Sequence, residues 1–176
     1  MSEILAYMAT WNTYGTWLPG DERGYVNRQG QALEGNDELL QISKELQKYP
    51  TVKLSPQEKI IAEEIIAAEA KKIGHTIIAM SITSNHVHLL AKPHQQSIDK
   101  IIGRYKSMTT RALWKYGRKG RIWAHGYHKR YCFTINEINA KIDYVQKHND
   151  NWRNNQPTCI RYKAQCGHNH WHRSNG

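Results

Sequence analysis

The stretch from His75 to Lys92, HTIIAMSITSNHVHLLAK, leaves the chain little freedom in how it folds. Two apolar runs flank the polar tripeptide Thr83-Ser84-Asn85, a pattern that predicts strands over 75–82 and 86–92 joined by a tight turn. So short a connection can only reverse the chain, so these strands pair antiparallel. Strand alternation also sends His86 and His88 to one face and Val87 and Leu89 to the other. Two neighbouring imidazoles can grip a divalent cation or simply pack, and alternation alone leaves that open.

Around this hairpin the other elements are locally encoded. Residues 3–14, EILAYMATWNTY, read as a first strand, and the Gly-, Asp- and Asn-rich segment around 15–54 as a long loop or insertion. Ser55-Pro56-Gln57-Glu58 is a capping box with proline at the first helical position; Ile60, Ile61, Ala67, Ala68 and Ile73 supply an apolar face, and Gly74 ends the helix. A second helix is expected from Ser97 to Tyr116, its core face formed by Ile98, Ile101, Ile102, Tyr105, Met108, Ala112 and Leu113. Residues 117–133 read as strand, glycine turn, strand. A last helix runs from about Thr134 to Asn151, with Ile135, Ile138, Ile142 and Val145 as its core face. This order predicts an α+β fold, a ferredoxin-like antiparallel sheet with helices packed on it.

At 176 residues one substantial core is expected, as a single domain over 1–157 with a polar tail over 158–176. No apolar run is long enough for a membrane span and the N-terminus lacks a signal-peptide layout, so a soluble, cytoplasmic protein is expected, with no membrane partner. Three cysteines, odd in number and not in CxxC spacing, argue against a disulfide framework. The net charge of +10, with 6 Trp and 10 Tyr, points to a polyanionic partner. Lys100, Arg104, Arg111 and Lys115 share one helix face, and Arg118, Lys119, Arg121, Lys129 and Arg130 interleave with Trp123. These are the candidate nucleic-acid contacts, and the aromatic rings favour unpaired bases.

On the last helix, Tyr144 points away from the apolar stripe, and His148 lies one turn on, on the same face. A solvated tyrosine and histidine, or a phenolic nucleophile beside a further metal ligand, both fit that spacing.

Three blocks, TYGTWLPGDERG, SNHVHLL and YVQKH, in this order and spacing resemble the single-tyrosine HUH transposases, above all the REP-associated tyrosine transposases and their insertion-sequence relatives. The resemblance runs from about residue 5 to 155. It implies that His86 and His88 sit on a central strand with Tyr144 on the facing helix, and that His148 is the third ligand of Mg²⁺ or Mn²⁺. It also implies that Tyr144 cuts and rejoins single-stranded DNA at a hairpin or repeat through a 5′-phosphotyrosine. Two positions depart from the family pattern: Thr83-Ser84 stands where Met-Pro is frequent, and His148 where Asn or Gln is common. Insertion-sequence relatives act as dimers with exchanged helices and repeat-associated ones can be monomers, so either state is compatible. A relative that binds structured single strands without cutting is the alternative. A histidine-triad hydrolase would need histidine where Leu90 stands. Cys159, Cys166, His168, His170 and His172 lack the paired spacing of a zinc knuckle and read as a polar tail.

Overall fold

The computed structural model describes residues 3–27 and 31–153, with side chains placed for all of these except Val26 and 149–153. The tail residues Cys159, Cys166, His168, His170 and His172 lie outside the described residues, as does the expected boundary at 157. Ten elements follow one another: β1 (Ala6–Asn12), β2 (Tyr25–Val26), β3 (Ala32–Leu33), α1 (Asp37–Glu45), α2 (Pro56–Ile73), β4 (Ile77–Ile82), β5 (His86–Ala91), α3 (Ile98–Lys115), β6 (His128–Cys132) and α4 (Ile135–Arg153).

The predicted hairpin is β4 and β5, closed by the Thr83 N–H donating to the His86 carbonyl at 2.9 Å. β1 then pairs antiparallel with both β5 and β6, giving the sheet order β4-β5-β1-β6. With α2 between β1 and β4, and α3 between β5 and β6, the chain traces β-α-β-β-α-β through four antiparallel strands, the ferredoxin-like arrangement. The two faces of the sheet carry separate cores. Tyr7, Ala9, Trp11, Val87, Leu89 and Ala91 pack with Ala62, Ile66, Ile101, Ile102, Tyr105 and Leu113 of α2 and α3. Ala6, Met8, Leu90 and Cys132 meet Val145, Ile138 and Ile142 of α4 on the other side. Strand alternation decides this division, and it turns His86 and His88 toward α4. Among the described residues no helix is long and apolar enough to cross a membrane.

Local capping agrees with the sequence. Ser55 and Glu58 close the capping box of α2, and Gly74 ends that helix in the left-handed region at φ 71°. Four expectations need correction. The segment 15–54 is no bare loop: it holds the β2–β3 hairpin and α1, which Asn36 caps by accepting from the Leu39 N–H at 2.8 Å. In the region 117–133 only 128–132 is a strand; Trp123 makes an isolated bridge to Thr13. Of the apolar face expected on α2, Ile61 and Ile73 pack against the core, but the fully buried residues are Glu58, Ala62, Ile66, Glu69 and Ala70, because apolar residues surround this helix and packing against α3 selects the stripe. Ile135, the first residue of α4, is 63% exposed and not part of its core face.

Candidate active site

The register of β1 against β5 sets the site. Thr10 lies opposite His88 and Asn12 opposite His86, so both imidazoles stand in a row bordered by β1 on one side and α4 above. The rings of His86 and His88 are 4.5 Å apart, centre to centre. The ring of His148, on α4, is 4.9 Å from that of His88 and 5.8 Å from that of His86. Tyr144 completes the group within the same chain, its ring 5.2 Å from His88 and 4.5 Å from His148. The two residues share a face because they are one helical turn apart. Tyr144 remains 43% exposed, open to a substrate from solvent.

Hydrogen bonds dictate which nitrogen each imidazole presents. The Tyr144 carbonyl can only accept, so the His148 Nδ1 at 2.9 Å from it carries the proton. The Asn85 side-chain carbonyl accepts likewise from His86 Nδ1 at 2.7 Å, with the Thr83 hydroxyl 2.9 Å away. His88 Nδ1 bonds the Thr10 hydroxyl at 2.8 Å, while its Nε2 is buried with no hydrogen-bond partner among the described residues. A buried Nε2–H would be an unsatisfied donor, so the Nδ1–H tautomer is favoured, leaving a lone pair on Nε2. Taking one ring nitrogen from each histidine, the three atoms lie within 4.8 Å of one another.

This donor set fits a divalent cation. Ligating histidines donate their other ring N–H to an oxygen acceptor, and here Thr10, Asn85 with Thr83, and the Tyr144 carbonyl supply those oxygens. Ligation also requires neutral imidazoles. Burial, reinforced by His148 and Arg23, pulls the pKa of His86 down to about 4. Burial, reinforced by His86, His148 and Lys141, pulls that of His88 to about 3. An all-nitrogen site suits Mn²⁺, Co²⁺ or Zn²⁺ better than Mg²⁺.

The basic residues expected to meet DNA are divided by the sheet. Lys100, Arg111 and Lys115 are exposed on α3, on the side away from Tyr144. Arg111 and the exposed Arg121 border an open groove of about 1000 Å³ between α3 and residues 120–127. Lys119 is exposed nearby. On the edge strand β6, Arg130 lies opposite Met8 and shares the sheet face of Tyr144, whereas Lys129 takes the other face. Three members have intramolecular roles. Arg104 pairs with Glu69 of α2 at 2.5 Å. Arg118 pairs with the buried Glu58. Trp123, expected on the surface, is a core residue at 4% exposure whose indole N–H donates to Thr109 at 2.8 Å. A Trp among cations reads as a stacking platform in sequence; its bridge to Thr13 and its contact with Trp11 place it inside.

Sequence reasoning passed over the residues that orient the imidazoles. Asn85 was visible as the neighbour of His86, but Thr10 becomes a partner only through strand register. Lys141, one turn before Tyr144, also escaped notice; its ammonium lies 6.0 Å from the Tyr144 ring centre.

A family model described as "Transposase IS200 like" matches residues 46–149, a span that contains His86, His88, Tyr144 and His148. Among solved structures, a REP-associated tyrosine transposase bound to a REP hairpin is similar at 13% identity, over 86% of this chain and 72% of that one, with a TM-score of 0.49. A candidate transposase from Deinococcus radiodurans R1 is similar at 14% identity, over 84% of this chain and 93% of that one, with a TM-score of 0.43. No protein of curated function matches the chain.

Proposed function

The chain belongs to the IS200-like transposase family, and from that premise we propose that it cuts and rejoins single-stranded DNA, with Tyr144 as nucleophile. The observation that carries this reading is the convergence, within one chain, of the Tyr144 ring on His88 and His148 beside three imidazole nitrogens within 4.8 Å.

Tyr144 attacks a backbone phosphorus: the bond from its phenolic oxygen to phosphorus forms and the bond from phosphorus to the 3′ oxygen breaks. The phenol gives up its proton to solvent, the 3′ oxygen takes one up, and the products are a 5′-phosphotyrosine and a free 3′-hydroxyl. The new ester conserves the energy of the old one, so a second 3′-hydroxyl can reverse the step and join a different strand. A divalent ion held by His86, His88 and His148 would supply Lewis-acid polarisation of the scissile phosphate. The second-layer oxygens of Thr10, Thr83 and Asn85 fix the ring orientations, and Lys141 adds positive charge beside the phenol. A single strand suits this site because an exposed, helix-borne tyrosine needs a phosphate it can reach in line with the bond being broken. The exposed cations Lys100, Arg111, Lys115, Lys119, Arg121, Lys129 and Arg130 serve as the wider DNA surface, with a hairpin as the preferred partner.

The test is a labelled hairpin oligonucleotide with a single-stranded flank, incubated with Mn²⁺ and resolved by denaturing electrophoresis. A covalent protein–DNA band from wild type and none from Tyr144→Phe is the expected result. Cleavage by Tyr144→Phe refutes the assignment. Binding by wild type without any covalent band identifies a protein that binds hairpins but does not cut them.

A further inference from the structure

The block TYGTWLPGDERG, residues 13–24, lies outside the span matched by the family model, and the chemistry above makes no use of it. Two of its side chains, Asp21 and Trp17, hold one guanidinium. Asp21 takes Arg23 in a two-pronged ion pair, Nε and Nη2 each 2.6 Å from a carboxylate oxygen. Nη2 also donates to the Thr16 carbonyl at 3.0 Å. The Trp17 ring lies beneath the guanidinium at 4.9 Å, itself held by its indole N–H donating to the Gly24 carbonyl at 2.7 Å. Gly15, Gly20 and Gly24 all adopt positive φ, and the turn closes on them. A Cβ at Gly20 would collide with the backbone of Asn36 and Leu40.

The clamp is tied to the histidine hairpin. Thr16 donates its hydroxyl to the Thr13 carbonyl at 2.9 Å, and the Thr13 N–H donates to the Asn85 carbonyl at 2.8 Å. Asn85 in turn holds His86. Arg23 and Asn85 line one cleft of about 350 Å³, together with Lys44 and Lys53 and the carboxylates of Asp21, Glu22 and Asp37. Yet the guanidinium is not used up. Its side chain is 49% exposed, and among the described residues neither N–H of Nη1 has a hydrogen-bond partner. An arginine kept only to brace a turn has no need of an open, rigidly aimed pair of donors, whereas a phosphate does.

We propose that Arg23 binds a backbone phosphate of the DNA strand as it crosses the Tyr144 site, and that the 13–24 turn serves to aim its guanidinium there. This inference rests on the DNA-cleaving reading. Pairing with Asp21 fixes the fork in advance, so little side-chain freedom is lost when the phosphate arrives.

The test times formation of the covalent adduct on the hairpin oligonucleotide in Mn²⁺, after the cut is mapped with wild type. The phosphates flanking the cut are replaced one at a time by uncharged methylphosphonates. Arg23→Ala should slow adduct formation about 100-fold, the order of cost when a reacting group is left misplaced. One methylphosphonate should slow wild type and cost Arg23→Ala nothing further. Arg23→Lys, which keeps the charge, should retain dependence on that phosphate even where Arg23→Ala loses the turn. A wild-type rate from Arg23→Ala, or equal penalties in wild type and both variants at every phosphate, overturns the contact and leaves the cleavage reading standing. Absence of adduct from wild type itself removes both.

Discussion

Thr10→Val isolates the part of the site that only the sheet could build. Valine matches threonine in shape and β-propensity but deletes the hydroxyl 2.8 Å from His88 Nδ1. His88 is 5% exposed, so the deserted ring N–H finds no water. An unsatisfied buried donor costs about 1–3 kcal/mol, which for a chain of this length lowers the melting midpoint by about 2–4 °C per kcal/mol. Moving the proton to Nε2 does not help, because that atom is also buried without a partner and would lose its lone pair. Affinity for Mn²⁺ should therefore fall about 10- to 100-fold, the usual penalty for deleting the oxygen behind a ligating histidine, or roughly 1.4–2.7 kcal/mol. Calorimetric titration of the chelator-treated protein with Mn²⁺ measures the affinity, and a thermal melt without metal measures the stability. Unchanged Mn²⁺ affinity together with an unchanged melting midpoint would refute the argument that Thr10 sets the tautomer of His88.

Acid should destabilise the metal-free protein through its buried imidazoles. His75 bridges Tyr7 at 2.9 Å and Tyr105 at 2.7 Å, and burial lowers its pKa from 6.5 to about 4. His86 and His88 are lowered to about 4 and about 3. Below pH 6.5 the unfolded chain binds more protons than the folded one, so stability is full above that pH and declines toward pH 4. Melting midpoints from pH 7 to 4.5 should show the decline, His75→Gln should make it shallower, and a flat profile contradicts the account. Charge reversal separates surface from framework. Arg130→Glu should leave the melting midpoint unchanged and weaken oligonucleotide binding, with the salt slope reduced by about one. Arg118→Glu should cost about 3–5 kcal/mol of stability by stranding the buried Glu58. Gly20→Ala should cost more than about 1 kcal/mol in a denaturant titration, since φ of 90° and the adjacent α1 backbone both exclude a Cβ.

Much of this was legible in the chain itself because it depends on neighbours in sequence. The Ser55 capping box, the Gly74 stop, the β4–β5 reversal, the alternation that put His86 and His88 on one face, and the helical turn that joined Tyr144 to His148 all act over four residues or fewer. What required the tertiary structure lies far apart in sequence. Thr10 and His88 meet across 78 residues through strand register, and Arg118 meets Glu58 across 60. The stripe that α2 buries was undecidable from a helix apolar on most sides until α3 chose it. Trp123 had the composition of a surface ring and the environment of a core one. Periodicity dictates which side chains share a face, but only the pairing of distant strands and helices determines what that face meets, because contact energies between remote residues leave no local pattern.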